Sequence, residues 1–342
     1  MLKKISSISC MLFSFICADA QTDSTKKATT TFSGSVDAYY RYGFSDAPGK
    51  TNNFTSFTNS QNSFELGMAS FKVDHTIGKV TATADLGFGR RAQEFSYNDA
   101  GSLAAIKQMY ITYAASDKVK FTMGKWATHV GYELVDAGGN RNYSMSYGFS
   151  YGPFFHTGIK ADISLGGKSA MMVGIANPTD YSTTTSADKF FLAQFSTATS
   201  NDKVKAYLNF QGGAGITQYN LVVTGALADK WGISYDGSLQ SYSTAGNTSS
   251  WKSHALYLNY DPTSSVGLTL RQDYFDDRKL TPIGLGGKIM ATTLSANLKA
   301  DNLTIIPEFR YDHSQQLVFF KGSAASGTKN SAAFILAAVY KF

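Results

Sequence analysis

Side chains able to do chemistry are scattered along this chain and form no catalytic pattern. Five histidines, His75, His129, His156, His254 and His313, make no His-x-x-x-His or similar ligand pair. Gly148-Phe149-Ser150-Tyr151-Gly152 spells Gly-x-Ser-x-Gly, but it falls inside the long 127–153 segment and not on the strand-to-helix turn that a nucleophile elbow needs, so a hydrolase that would pair a serine with His156 is not expected. Gly212-Gly213-Ala214-Gly215 lacks the following Lys-Ser/Thr of a phosphate loop and reads as a surface loop. Both cysteines, Cys10 and Cys17, fall in an N-terminal apolar run. No catalytic residue, metal ligand set or cofactor is therefore expected.

Charge at alternate positions is what the chain offers instead. Taking the polar parity of each alternating segment as one face gathers the bases Arg41, Lys120, Lys160, Lys205, Arg271, Lys299, Arg310 and Lys341. The same rule gathers the acids Asp37, Asp85, Asp162, Asp236, Asp273, Glu308 and Asp312, with several lysines falling toward one rim. A ring of one sign sets ion selectivity. Neither sign dominates here, so strong selectivity is not predicted.

The elements that carry these charges read as strands. Residues 31–42 set Phe32, Val36, Ala38, Tyr40 and Tyr42 against Ser33, Ser35, Asp37, Tyr39 and Arg41. Residues 79–90 and 303–312 alternate in the same way, and in a strand the two sets face opposite sides. A sandwich also alternates, but the Gly/Ser/Thr/Asn/Gln-rich polar face suits a wet lumen, and the Tyr and Phe near strand ends suit the aromatic girdles of a membrane barrel. No stretch after the N-terminus reaches the roughly 18 apolar residues of a membrane helix.

Seven short turns, at 76–79, 116–118, 165–168, 200–203, 228–230, 261–264 and 300–302, alternate with longer segments at 43–62, 91–105, 127–153, 178–188, 212–216, 241–250, 275–288 and 313–330. The expected fold is all-β, a transmembrane antiparallel barrel of sixteen strands, give or take two. Short turns face the periplasm and longer loops face outward. A phase change near Ala69 points to a bulge. Tyr143 to Tyr151 alternates too, but a crossing strand there would break the parity, so it belongs to the longest loop.

Lys3 and Lys4, the apolar run and Ala18-Asp19-Ala20 make residues 1–20 a signal peptide, with Gln21 as first mature residue. A short linker over 21–30 and a barrel over 31–342 follow. Only 16% of residues are charged, against about 25% in soluble domains. The net charge of +6 is spread without a basic block, so no nucleic-acid partner is expected. At the C-terminus Phe334, Leu336, Ala338, Tyr340 and Phe342 share a face. Ending on Tyr340 and Phe342 fits a terminal strand read by barrel-assembly machinery.

Several runs resemble the OmpL-like group of beta-barrel porins of Bacteroidetes and relatives. They are Gly124-Lys125-Trp126, Gly131-Tyr132-Glu133, Asn140-Arg141-Asn142-Tyr143-Ser144, Gly152-Pro153-Phe154-Phe155-His156-Thr157-Gly158, Gly174-Ile175-Ala176-Asn177 and Pro307-Glu308-Phe309-Arg310-Tyr311-Asp312-His313-Ser314. Met145 stands where the pattern has arginine. The resemblance implies an outer-membrane porin-like barrel and assigns no substrate. The expectation is then passive or weakly selective diffusion of small polar solutes. A barrel-anchored surface binding or adhesion protein is the alternative, and it would need longer surface insertions than these. The expected surroundings are outer-membrane lipid, the assembly machinery and the solutes, and a homo-oligomer is compatible with the sequence. By analogy with porins of this size, the 127–153 loop is expected to fold inward, with His129, Glu133, Asp136 and Arg141 at a constriction. Asp37, Arg41, Asp85, Lys160, Asp162, Asp236, Arg271, Asp273, Glu308, Arg310 and Asp312 are expected to line the pore.

Overall fold

The computed structural model describes residues 27–277, 279 and 284–342; the expected signal peptide lies outside them. The strands are β1 (Thr29–Gly43), β2 (Ser63–Ile77), β3 (Val80–Phe88), β4 (Ile106–Ala114), β5 (Val119–Ala127), β6 (Phe155–Gly166), β7 (Ser169–Ala176), β8 (Phe190–Ala198) and β9 (Val204–Gly213). After them come β10 (Ile216–Ala228), β11 (Trp231–Thr244), β12 (Asn247–Tyr260), β13 (Val266–Asp276), β14 (Lys288–Ala300), β15 (Leu303–Ser314), β16 (Phe319–Lys321), β17 (Ser326–Thr328) and β18 (Asn330–Lys341). Strands β16 and β17 pair only with each other, as a small hairpin in the last long loop. The other sixteen close into one antiparallel barrel in which sequence neighbours are spatial neighbours and β18 pairs with β1.

Closure satisfies the backbone without leaving an edge, the requirement for crossing a membrane with strands. The seam is continuous to the last residue: Gly34 and Phe342 exchange both backbone hydrogen bonds, at 3.0 and 3.1 Å. The outward parity is apolar and exposed, as at Phe64, Leu66, Met123, Leu208 and Leu294. At the short-turn end Trp231 stacks on Tyr260, with ring centroids 4.4 Å apart. The phase change expected near Ala69 is a bulge two residues earlier, where Asp37 pairs with Met68 and Ala38 with Leu66. Gly67 is the unpaired residue. A Cβ there would lie 1.8 Å from the Asp37 carboxylate and 2.8 Å from the Tyr143 hydroxyl.

Two segments depart from the loop expectation, the first being 212–216, where β9 and β10 stay paired up to Gly213 and Ile216 and leave a two-residue turn. In the second, β11 and β12 remain paired up to Thr244 and Asn247, so 241–250 is a two-residue turn at the end of a long hairpin. Its Ser, Thr and Asn residues read as loop, yet the hydrogen-bonded ladder does not depend on an apolar side-chain face. Two short helices, α1 (Arg90–Phe95) and α2 (Tyr147–Tyr151), and 3-10 turns at Gly101–Ala105 and Ala137–Gly139 lie in the long connections.

Candidate functional site

The loop from 128 to 154 runs through the barrel interior and touches both ends. Its root is fastened at the long-loop end, where Thr128 N donates to the Phe154 carbonyl at 2.9 Å. Asp180, in the next long loop, accepts from Phe154 N at 2.7 Å and Phe155 N at 2.9 Å, and from the Tyr97 hydroxyl at 3.1 Å. Burial pushes Asp180 up to about 6 despite those donors. Burial likewise holds His129 down at about 4, so the ring is neutral, with Nε2 3.1 Å from the Phe210 carbonyl oxygen. The far tip reaches the short-turn end. There Arg141 forms a two-pronged pair with Asp261, at 2.6 and 3.1 Å, and Lys341 Nζ donates to the Gly138 carbonyl at 2.9 Å.

Between root and tip the wall charges grip this loop. Arg271 of β13 donates to the Ser144 carbonyl at 2.6 Å and the Met145 carbonyl at 3.1 Å, and pairs with Glu133 at 2.8 Å and Asp273 at 3.1 Å. Two strands on, Arg310 donates to the Met145 carbonyl at 2.7 Å and pairs with Asp312 at 2.9 Å. Glu308 receives Tyr143 N at 2.7 Å and Ser144 N at 3.0 Å, while the Tyr143 hydroxyl donates to Asp37 and that of Tyr147 to Asp312. Two strands before β13, Asp236 of β11 accepts from Tyr132 N at 2.9 Å and also from Asn220. Arg271 is fully buried, and so are the carboxylates it meets. Removing one member of such a buried pair costs about 3–5 kcal/mol, because the other is left without compensation.

A second loop also turns inward. In 44–62, Asn52, Thr55, Phe57 and Thr58 are buried, and Arg41 donates to the Thr51 and Ser60 carbonyls at 2.9 and 2.5 Å. Phe57 joins Phe95, Val135, Met145, Phe149, Phe154 and Phe155 in an apolar knot, so three connections share one buried contact. Arg91 of α1 is fully buried beside it. Its guanidinium donates to the Val135 and Tyr143 carbonyls and lies 3.7 Å from the Met145 sulfur, beside the residue where the resemblance has arginine.

The sequence profile of the family described as putative beta-barrel porin-2, OmpL-like, matches residues 29–342. The chain belongs to this family. No curated protein sequence matches it. Among solved structures, an anion-selective porin from Comamonas acidovorans superposes with a TM-score of 0.64 at 12% identity, over 92% of this chain and 100% of that one. The outer membrane channel DcaP of Acinetobacter baumannii gives 0.61 at 11% identity, over 92% and 97% of the two chains. A loop-deletion mutant of OmpT, an outer membrane protein of Vibrio cholerae, gives 0.65 at 12%, over 92% and 99%. At such identities these likenesses concern the fold. The protein is thus a porin-type barrel of the outer membrane, a channel by family and architecture.

Within this porin the short motifs acquire individual duties. Asn140 brackets Leu134 by bonding both its N–H and its carbonyl, Arg141 holds Asp261, Asn142 reaches Ser295, Tyr143 reaches Asp37, and Ser144 meets Glu308 and Arg271. Glu308, Arg310 and Asp312, at alternate positions of β15, are the receiving side of that same contact. Gly124, at φ 137°, has the Met109 carbonyl 2.2 Å from where a Cβ would sit. Lys125 after it is buried and pairs with Asp99 at 2.9 Å.

Parity puts all eleven expected pore-lining residues inside, but most of them do not face open water. Asp37, Arg41, Asp85, Asp236, Arg271, Asp273, Glu308, Arg310 and Asp312 are buried. This corrects the expectation that they line a wet lumen: the inward loops occupy the space in front of them. Lys160 and Asp162, paired at 3.0 Å, keep part of their surface exposed. Of the loop residues, Glu133 is buried against Arg271, whereas Asp136 and Arg141 stay partly exposed, Asp136 bonded to Lys107 at 2.6 Å. Asn220, Arg91, Lys107 and Asp180 were missed. Asparagine carries no charge signal, Lys107 occupies a bulge between β3 and β4, and the other two lie in loops. Among the spaces the loops leave is a cavity of about 450 Å³ toward the long-loop end, lined by Ser56, Asn59, Glu94, Tyr97, Tyr151 and Tyr242 among others. Another, of about 180 Å³, lies under the loop tip at the short-turn end.

Proposed function

We propose that this porin passes small polar solutes by passive, weakly selective diffusion, and that the 128–154 loop sets the size limit. The observation that carries the reading is the loop's run from one end of the barrel to the other, fixed at its root by Asp180 and at its tip by Arg141–Asp261. A sixteen-strand barrel left empty is wide enough for an aqueous channel, so whatever fills it decides what passes. In this reading Asp136, Arg141, Lys160 and Asp162 border the remaining path, and the buried charges, Glu133 included, act with the neutral His129 by holding the loop.

The chain is inserted with its short turns in the periplasm after cleavage behind Ala20, and Tyr340 and Phe342 serve as the assembly signal. A homo-oligomer fits the same reading, since OmpT of Vibrio cholerae, a structural neighbour, also occurs in a trimer form. The short β11–β12 turn offers little surface for an adhesion role. Refolded protein in liposomes should pass small sugars and amino acids and exclude larger oligosaccharides, read by swelling rates. Tight vesicles with fully inserted protein would refute the diffusion reading.

A further inference from the structure

The short-turn mouth holds a cavity whose chemistry differs from the rest of the interior. It lies under the 137–141 tip of the inward loop and is lined by Arg141, Asn297, Lys299, Thr304 and Lys341 among others. The register brings the donors together. Lys299 of β14 pairs directly with Thr304 of β15, and Thr304 with Val339 of β18. Lys341 follows Val339 two residues on, on the same face. Directly paired side chains on one face have Cβ atoms about 4.5–5.5 Å apart.

Hydrogen-bond capacity there is left over. Lys341 Nζ uses one hydrogen on the Gly138 carbonyl, at 2.9 Å. Lys299 and the Thr304 hydroxyl make no hydrogen bond or ion pair among the described residues. Arg141 is engaged, through Asp261, Thr269 and the Leu268 carbonyl, and serves as the cavity's edge. The acid within reach, Asp261, is held below its ordinary value first by the Arg141 hydrogen bonds and then by the positive fields of Arg141 and Lys299. Two ammonium groups with unused hydrogens, a hydroxyl and an already occupied carboxylate leave a small space that is positive and rich in donors.

We propose that this cavity binds a small doubly charged oxyanion of the size of inorganic phosphate, with Lys299, Lys341 and Thr304 as its direct contacts. The site makes the short-turn mouth of the pore the anion-preferring end. It deepens the diffusion reading above and rests on it for its biological meaning, although occupancy itself does not require conduction.

The test is calorimetric titration of the full refolded chain in detergent with sodium phosphate at fixed ionic strength, and with glucose as the neutral comparison. Saturable phosphate binding is expected, with no heat from glucose. Lys299→Gln, which touches neither the loop tip nor the C-terminal strand, should weaken binding by about tenfold, as loss of one charged donor does. Lys299→Gln with Lys341→Gln should abolish it. Lys168→Gln, which removes an equal charge from the β6–β7 turn at the same end, where it pairs with Asp202, should bind like the parent. Equal binding by parent and Lys299→Gln, or equal weakening by Lys168→Gln, overturns the site. Chloride conductance of the same preparations separates the two readings. Conduction without phosphate binding refutes the site alone, and phosphate binding without conduction refutes the pore alone.

Discussion

Arg271 and Arg310 at mid-barrel and Lys299 and Lys341 at the short-turn mouth have the same sign and the same inward parity, yet they live under opposite conditions. The arginines are buried, each bonded to a loop carbonyl and a carboxylate, with the Met145 carbonyl shared between them. The lysines are exposed and keep hydrogens to spare. Parity tells which side of the wall a residue faces. What occupies the space in front of it decides whether its charge holds structure or meets solute.

The largest effect should come from breaking the buried side of this contrast. Arg271→Ala leaves Glu133 and Asp273 without the guanidinium that both pair with and should lower stability by about 3–5 kcal/mol. Lys299→Ala should stay within about 0.5 kcal/mol of the parent, as exposed substitutions do. Urea unfolding of the refolded barrel, followed by tryptophan fluorescence, measures both. Similar losses for the two variants would erase the distinction.

A smaller effect separates two neighbours at the mouth itself. Lys341 faces inward, whereas Phe342 is about half exposed on the outer side and closes the seam with Gly34. Phe342→Asp should reduce the amount of assembled protein in outer membranes well below that of Lys341→Asp. Fractionation and heat-modifiability on gels give the comparison, and equal yields would remove Phe342 from the assembly signal.

The smallest effect concerns the root of the loop. Asp180 titrates at about 6 in the folded protein against 3.8 for an ordinary carboxyl. As pH falls through 6, the native state takes up a proton that the unfolded chain does not yet bind. The contribution of this group to stability therefore rises from pH 7 toward pH 5 and is lost again as pH rises. Asp180→Asn should flatten that rise when unfolding midpoints at pH 7 and pH 5 are compared with the parent. An unchanged pH dependence would show that Asp180 does not titrate in this window.

The barrel was readable because lipid on one side and polar interior on the other force alternation, and because turn chemistry punctuates it. Even the assignment of 143–151 to a loop could be made from strand parity. The β11–β12 hairpin was misread because its Ser- and Thr-rich outer half is held by backbone pairing and needs no apolar face. Contacts that depend on tertiary packing gave no local signal. Asp180, Arg91 and Asn220 matter because of what folds against them, and a one-residue irregularity places Lys107. The motifs Asn140–Ser144 and Pro307–Ser314 could be picked out singly. That they are two halves of one interface, Glu308 receiving Tyr143 and Ser144, required the fold.

The central claim, that the inward loop sets what the barrel passes, is tested most directly by replacing residues 134–148 with a short glycine-containing linker. Strands, seam and the Asp180 root remain, while the tip and the loop carbonyls that Arg271 and Arg310 hold are removed. Single-channel conductance in planar bilayers should rise well above that of the parent, and the size cut-off in liposome swelling should widen with it. A correctly folded, inserted variant with the parent's conductance and cut-off would contradict the account.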